Sequence, residues 1–291
     1  MSAIKTRDVT VGEYTFHLSS SGSPSRRPVL WLHGSGPGVT ALTNWERVLE
    51  DLAGDFYNFA PDVIGFGDST HPDPPPVGLD AFTELRVDTL IALLDHLGID
   101  QVDLVGNSMG GIISLCLTLA HPERVRRIVL MGAGGAPVPI TPELLALILF
   151  YEDPSVDAMA ELMKTFVYDP TAFGDDLEAI AAARMPRAIR PEIERSHRAT
   201  FSPGDPLPIN EETMATITQP VLIVHGDTDL LIPLECAQWY DKVLPNSRLE
   251  VVERAGHWLQ LEQPDTFVRL VRDFLAAPLF SRFETTEEAP V

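Results

Sequence analysis

The hexapeptide Gly106-Asn107-Ser108-Met109-Gly110-Gly111 restricts this chain more than any other segment. An apolar run, Val102 to Val105, precedes it, and a second, Ile112 to Ala120, follows. A strand, a sharp turn and a helix account for that order, with a serine on the turn. The small residues at 106 and 110 let the backbone turn tightly enough to expose the Ser108 hydroxyl at the end of a sheet.

The same alternation runs along the chain. Val29 to Leu32, Phe56 to Ala60, Val102 to Val105, Val125 to Met131, Val221 to Val224 and Leu249 to Val252 read as strands. Trp45 to Leu52, Phe82 to Leu97, Gly110 to Ala120, Leu234 to Leu244 and Pro264 to Leu275 read as helices. Such alternation predicts a mostly parallel sheet with helices on both faces. The segments around Val9 and from Tyr14 to Leu18 suit an antiparallel edge. From about Pro137 to Asn210 the text turns helical and proline-punctuated, and strand patterning resumes at Pro220. The expected organisation is a core over 1–135 and 213–291, with a helical insertion over 136–212. That insertion is placed to act as a lid at the edge where ligands bind in open sheets. Its apolar residues, among them Leu144, Leu145, Ile148, Leu149, Met159, Met163 and Phe166, are available to line a pocket or to pack the lid.

Composition excludes several classes of function. Acidic residues number 42 against 21 basic, a formal charge of −21, which repels a phosphate backbone and argues against nucleic acid as a partner. The first ten residues show neither a long apolar run nor a cleavage signature, and no stretch of about 18 apolar residues occurs. Neither a secretory signal nor a membrane span is therefore expected. Cys116 and Cys236 are too few for a disulfide framework and read as reduced core residues. The sequence contains no CxxC, no HExxH and no close histidine pair, so no metal site is expected. Gly65-Phe66-Gly67 lacks the context of a dinucleotide fingerprint and reads as a turn. The polar tail after Phe280 is expected to fray.

A serine hydroxyl is a weak nucleophile at neutral pH and needs a base, which in turn needs an orienting group. His257, in Ala-Gly-His-Trp-Leu-Gln, follows the strand Leu249 to Val252, where a catalytic histidine would lie. Asp229, just past the strand Val221 to Val224, is the preferred carboxylate. Asp227 competes, but its place at the start of the turn suits a cap. The loop His33-Gly34-Ser35-Gly36-Pro37-Gly38 lacks the lysine and hydroxyl residue of a phosphate loop. It suits one half of an oxyanion hole, with the Ser35 N–H as donor and Gly36 as the alternative. The Met109 N–H is the other donor. His33 is expected to pack under the loop.

Taken together, HGSGPG at 33–38, GNSMGG at 106–111, HGDTD at 225–229 and GHWLQLEQP at 256–264 resemble the α/β-hydrolase superfamily. The finer resemblance is to the carbon–carbon bond hydrolases that cleave meta-ring-fission products in bacterial aromatic degradation. Asn107 within the nucleophile turn, Trp258 directly after the histidine, and Leu-Thr-Asn-Trp at 42–45 carry it.

That resemblance implies an α/β-hydrolase fold and a cytoplasmic homodimer or higher homo-oligomer without cofactor. The implied substrate is a small 2-hydroxy-6-oxo-hexa-2,4-dienoate, cleaved to 2-hydroxypenta-2,4-dienoate and a carboxylic acid. It also implies a lid arginine for the substrate carboxylate, because a guanidinium fork can engage both oxygens. Arg190, ahead of Pro191-Glu192, is the first candidate and Arg187 its rival, with Arg184 and Arg195 weaker. Asn44 and Asn107 are expected to bind the substrate oxygens, and Trp258 to pack beside the dienoate. Ketonisation of the dienol, with a proton placed on C5, is expected to precede attack at C6. Acylation of Ser108 is the default route, and direct attack by activated water is the other. The rival activity is that of a carboxylic-ester or lactone hydrolase using the same three residues.

Overall fold

A computed structural model describes residues 4–278. The tail after Phe280 lies outside the described residues. The strands are β1 (Lys5–Val11), β2 (Tyr14–Ser21), β3 (Pro28–Leu32), β4 (Tyr57–Pro61), β5 (Val102–Asn107), β6 (Val125–Met131), β7 (Val221–Gly226) and β8 (Ser247–Val252). They form one eight-stranded sheet in the order β1-β2-β4-β3-β5-β6-β7-β8. The pairs from β4 to β8 are parallel, while β2 is antiparallel to both β1 and β4. The antiparallel edge expected from the first segments is present, one strand wider than a lone hairpin because β2 also joins β4.

Three helices follow strands in the first half: α1 (Ala41–Asp51), α2 (Leu79–His96) and α3 (Met109–Ala120). Between β6 and β7 lie α4 (Pro142–Ile148), α5 (Val156–Thr165), α6 (Leu177–Ala188), α7 (Pro191–Thr200) and α8 (Glu211–Met214). The chain ends with α9 (Leu234–Val243), α10 (Leu259–Glu262) and α11 (Pro264–Ala276). No helix among the described residues is long and apolar enough to cross a membrane.

Side chains of the central strands alternate between two cores, as a period of two requires. Leu30 and Leu32 of β3, Ile128 and Leu130 of β6, and Val221 and Ile223 of β7 face the core that includes α2, α3 and α9. Val29 and Trp31, Val129 and Met131, and Leu222 and Val224 face the core that includes α1 and α11. Both faces being covered explains why these strands read as unbroken apolar runs rather than as alternating ones.

Some of the prolines that punctuate the insertion mark helix starts, while Pro186 lies inside α6. Pro142 and Pro191 each occupy the first turn, where a missing N–H costs nothing. Thr141 and Ser155 cap α4 and α5 by accepting from backbone N–H groups. The insertion has its own core, with Phe150, Met159, Met163 and Met185 packed against Leu231, Ile232 and Cys236 of the main domain. Its apolar residues divide: Leu145 and Leu149 are exposed, whereas Met159 and Met163 are buried. Cys116 and Cys236 are free and buried.

Candidate active site

The parallel strands deliver the candidate residues to one edge of the sheet. Ser108 stands at the end of β5 with φ 54° and ψ −115°, a strained conformation for a residue with a side chain. The turn is possible because glycines stand two residues to either side, at 106 and 110. A Cβ on Gly110 would lie 2.1 Å from the Leu32 carbonyl oxygen, and one on Gly106 would lie 2.3 Å from that of Gly110. Strand β3, the serine turn and helix α3 therefore pack at backbone contact.

His257, on the loop after β8, and Asp229, after β7, meet across the next edge. His257 Nδ1 lies 2.6 Å from Asp229 Oδ2, and both side chains are almost wholly buried. The other carboxylate oxygen of Asp229 accepts from the N–H groups of Leu231 and Ile232 at 3.0 and 2.9 Å. Asp229 is thus fixed by backbone before it holds the imidazole. Asp227 is exposed, and its carboxylate accepts from Ala255 N. The structure brings Asp229, not Asp227, to His257.

Behind this pair stands His225, fully buried. Its Nε2 lies 2.8 Å from the Ile232 carbonyl oxygen and 3.6 Å from Asp229 Oδ2. Burial lowers its pKa and keeps it neutral, so Nε2 carries the proton that Ile232 accepts. No motif in the sequence separates this histidine from a packing residue.

The loop after β3 is held by His33. Its Nε2 accepts from Val63 N at 3.0 Å, which places the proton on Nδ1, 2.7 Å from the Gly34 carbonyl oxygen. That contact engages the Gly34 carbonyl, and Ser35 beside it lines the pocket wall.

Two compartments meet at this point. One is a tight polar cleft walled by Ser35, Asn44, Asn107, Arg184, His257 and Trp258. The other is a cavity of about 340 Å³ lined by Ser35, Ser108, Met109 and apolar side chains that include Ile112, Leu144 and Ile232. Among the described residues no charged side chain lines the cavity.

The polar cleft gathers several groups that were expected in it, with a different arginine. Arg190 donates to Asp68 Oδ1 at 2.7 Å and to Glu192 Oε1 at 2.7 Å. Arg187 reaches the other oxygen of Asp68 at 3.4 Å. Both are partly exposed and paired with that carboxylate, and neither lines the cleft. Arg195 pairs with Asp73 at 3.4 Å.

Arg184 is the arginine that enters. Its Nε donates to the Pro37 carbonyl oxygen at 2.7 Å, and its guanidinium lies 5.9 Å from the Trp258 ring centre. Burial pushes its pKa down to about 10, which leaves it charged at neutral pH. Arg184 and Arg187 are three residues apart on one helix, so periodicity gives both the same face. What separates them is Asp68, a residue of another loop.

Asn44 is buried, and its Nδ2 has no partner among the described residues. Asn107 Nδ2 donates to the Met131 carbonyl oxygen at 3.1 Å. Trp258 stacks on Phe166 of the insertion, with ring centres 4.4 Å apart.

The profile of the α/β-hydrolase family matches residues 29–270. The chain belongs to the α/β-hydrolase family. It is 40% identical over 276 residues to 2-hydroxy-6-oxo-2,4-heptadienoate hydrolase of Pseudomonas putida, covering 93% of this hydrolase and 96% of that protein. The solved 2-hydroxy-6-oxo-6-phenylhexa-2,4-dienoate hydrolase of Rhodococcus sp. strain RHA1 superposes with a TM-score of 0.90 at 36% identity, covering 95% of this hydrolase and 100% of that chain. The solved meta-cleavage product hydrolase of Pseudomonas fluorescens IP01 superposes with a TM-score of 0.85 at 31% identity, covering 92% and 97%. This hydrolase falls among the meta-cleavage product hydrolases.

Proposed function

We propose that this hydrolase cleaves the C5–C6 bond of a 2-hydroxy-6-oxo-hexa-2,4-dienoate, giving 2-hydroxypenta-2,4-dienoate and a carboxylic acid. The observation that carries the reading is the pairing of an arginine-bearing polar cleft with an uncharged cavity at Ser108. The substrate has the same division, with a carboxylate and enol at one end and the C6 substituent at the other.

In this reading Arg184 binds the C1 carboxylate, in the role first sought for Arg190 or Arg187. The free Nδ2 of Asn44 donates to a substrate oxygen, and the Asn107 side chain lies beside it. Trp258 packs against the dienoate. The dienol hydroxyl gives up its proton and C5 gains one, with His257 as mediator. This leaves a ketone at C6 and a C5–C6 bond whose electrons can be received by the conjugated C2 carbonyl.

Ser108 Oγ then attacks C6 while His257 takes its proton and Asp229 holds the imidazolium. The N–H groups of Ser35 and Met109 stabilise the oxyanion. Ser35 is preferred to Gly36 because it borders both compartments. Collapse breaks C5–C6, the dienolate leaves, and water releases the acid from Ser108. Helices of residues 136–212 form the lid that excludes bulk solvent. A homodimer or higher homo-oligomer in the cytoplasm belongs to the same proposal, and light scattering at micromolar concentration tests the stoichiometry.

The cavity refines the substituent. With room for far more than a methyl group and no charged side chain on its wall, it suits uncharged alkyl or aryl groups. A carboxylate there would lose its hydration without a paired cation. The test is loss of the dienolate absorbance on mixing enzyme with ring-fission products bearing methyl, isopropyl, phenyl and carboxyethyl groups at C6, with acid products identified by mass. Turnover of the uncharged members with matching acid is expected. No turnover across the panel, alongside brisk cleavage of simple esters, overturns the proposal in favour of an ester hydrolase.

A further inference from the structure

Arg86 of α2 is fully buried, and nothing in the reaction outlined above uses it. Its guanidinium lies 4.3 Å from the Phe82 ring centre and 5.0 Å from that of Phe66. Nε donates to the Ile64 carbonyl oxygen at 3.0 Å, one Nη to Thr200 Oγ1 at 3.0 Å, and the other points at Met109 Sδ at 3.4 Å. Every one of these acceptors is neutral. Burial pushes its pKa down to about 9, so it stays charged at neutral pH, and among the described residues no carboxylate pairs with it. Burying a charge without a counter-ion is unfavourable, and aromatic faces and neutral acceptors recover only part of the lost hydration.

The position of this cation is specific. Met109, whose side chain touches the guanidinium, supplies one proposed oxyanion donor. The other donor, Ser35, sits on the loop that His33 holds through Gly34. His33 in turn accepts from Val63, the residue next to the Ile64 that Arg86 binds. One half of the hole, Met109, thus touches the guanidinium, and the other is tied to it through Ile64, Val63, His33 and Gly34. Phe66 also packs edge-on against His33 at 5.3 Å.

We infer that Arg86 is the buried counter-charge of the oxyanion hole, a positive centre that gains its anion only when negative charge develops on the substrate at Ser108. It does not touch the reacting atoms. It acts by holding Met109 and by its field, which is little screened in a site closed to water. The inference rests on the proposed oxyanion hole but not on the identity of the bond cleaved, because ester cleavage passes through the same oxyanion.

The experiment compares Arg86→Met, Arg86→Lys and Thr200→Val in the full-length protein. Each is assayed with 2-hydroxy-6-oxo-2,4-heptadienoate and with 4-nitrophenyl acetate, after circular dichroism confirms folding. Arg86→Met removes the charge and keeps much of the volume. It should lower kcat about 30-fold on both substrates with KM within about 3-fold, somewhat less than loss of a direct oxyanion donor. Arg86→Lys should restore most of kcat.

Thr200→Val cuts the tie to α7 but keeps the charge; because Thr200 also borders the cavity, KM for the dienoate is free to change, and kcat for 4-nitrophenyl acetate should stay within about 2-fold of the parent. An unchanged kcat in folded Arg86→Met overturns the inference. So does an equal fall in all three variants, which would make Arg86 a tether for the insertion. Absence of dienoate turnover by the parent enzyme would instead sink the proposed reaction and leave the ester series to decide the role of Arg86.

Discussion

The backbone N–H of Gly256 donates to Oε2 of Glu262 at 2.7 Å, and Oε1 of the same carboxylate accepts the Tyr168 N–H at 2.6 Å. One side chain thus fastens the loop that carries His257 to the insertion. A third bond beside it, Trp258 N to the Phe166 carbonyl oxygen at 2.9 Å, completes the seam. Glu262→Ala leaves two backbone donors without their acceptor. We expect a loss of about 1–3 kcal/mol in urea unfolding and a fall of about 10-fold in kcat, because His257 loses its fixed loop. A variant with weakened stability but parental kcat would show that the seam does not set the histidine.

The arginine assignment separates two variants that differ by less than two helical turns. Arg184→Met should lower kcat/KM for a dienoate about 100-fold, the size of a lost charged hydrogen-bond pair of about 1.5–3 kcal/mol. Arg190→Met should stay within a few-fold, since Asp68 and Glu192 engage it outside the cleft. Steady-state kinetics with the reverse ranking would return the carboxylate to the residue first expected.

For the nucleophile and its partners, Ser108→Ala and His257→Ala should each lower kcat by about 10³-fold or more. Asp229→Asn should do nearly as much while leaving the geometry intact, because an amide presents the wrong partner to the imidazole. Asp227→Asn should retain activity. A stopped-flow trace in which Ser108→Ala still cleaves C–C at the parental rate would assign the attack to water.

Gly132 tests how tightly the pair is enclosed. Its φ is +52°, and a Cβ there would sit 3.0 Å from His257 Nδ1 and 3.1 Å from Asp229 Oδ2. Gly132→Ala should cost about 1–2 kcal/mol for the left-handed backbone. It should lower kcat by more than about 10-fold, since the methyl group crowds the hydrogen bond itself. Equal turnover in the two proteins would mean that the edge of β6 yields.

The insertion should be acid-sensitive. His197 of α7 is buried, and its Nε2 lies 3.0 Å from the Ile148 carbonyl oxygen. Burial lowers its pKa from 6.5 to about 4. The unfolded chain then binds the proton more readily than the folded one. Its contribution is complete above about pH 6.5 and is lost as pH falls toward 4, amounting to about 3 kcal/mol at the limit. His33, His71 and His225 are shifted in the same direction by burial. Denaturant melts between pH 7 and 4 should show a shallower fall for His197→Gln than for the parent.

The sequence by itself determined the parts that depend on local pattern. Strand and helix periods placed the parallel sheet and its helices, and the glycines around Ser108 placed the turn, because backbone contact there excludes a Cβ. The order of Ser108, Asp229 and His257 followed from where each stands relative to a strand end. The tertiary structure alone decided what depends on contacts between distant segments. Asp68, far along the chain from Arg187 and Arg190, pairs with both outside the cleft and leaves Arg184 to line it. Glu262 reads in sequence as one more acidic residue, yet it accepts from Tyr168 in the insertion and from Gly256 beside the histidine. Arg86 is a charge on a helix until three segments close over it and leave it neutral partners alone among the described residues. Periodicity records which face of an element is apolar. It does not record which charged groups from elsewhere will meet there, and those meetings set the electrostatics of the site.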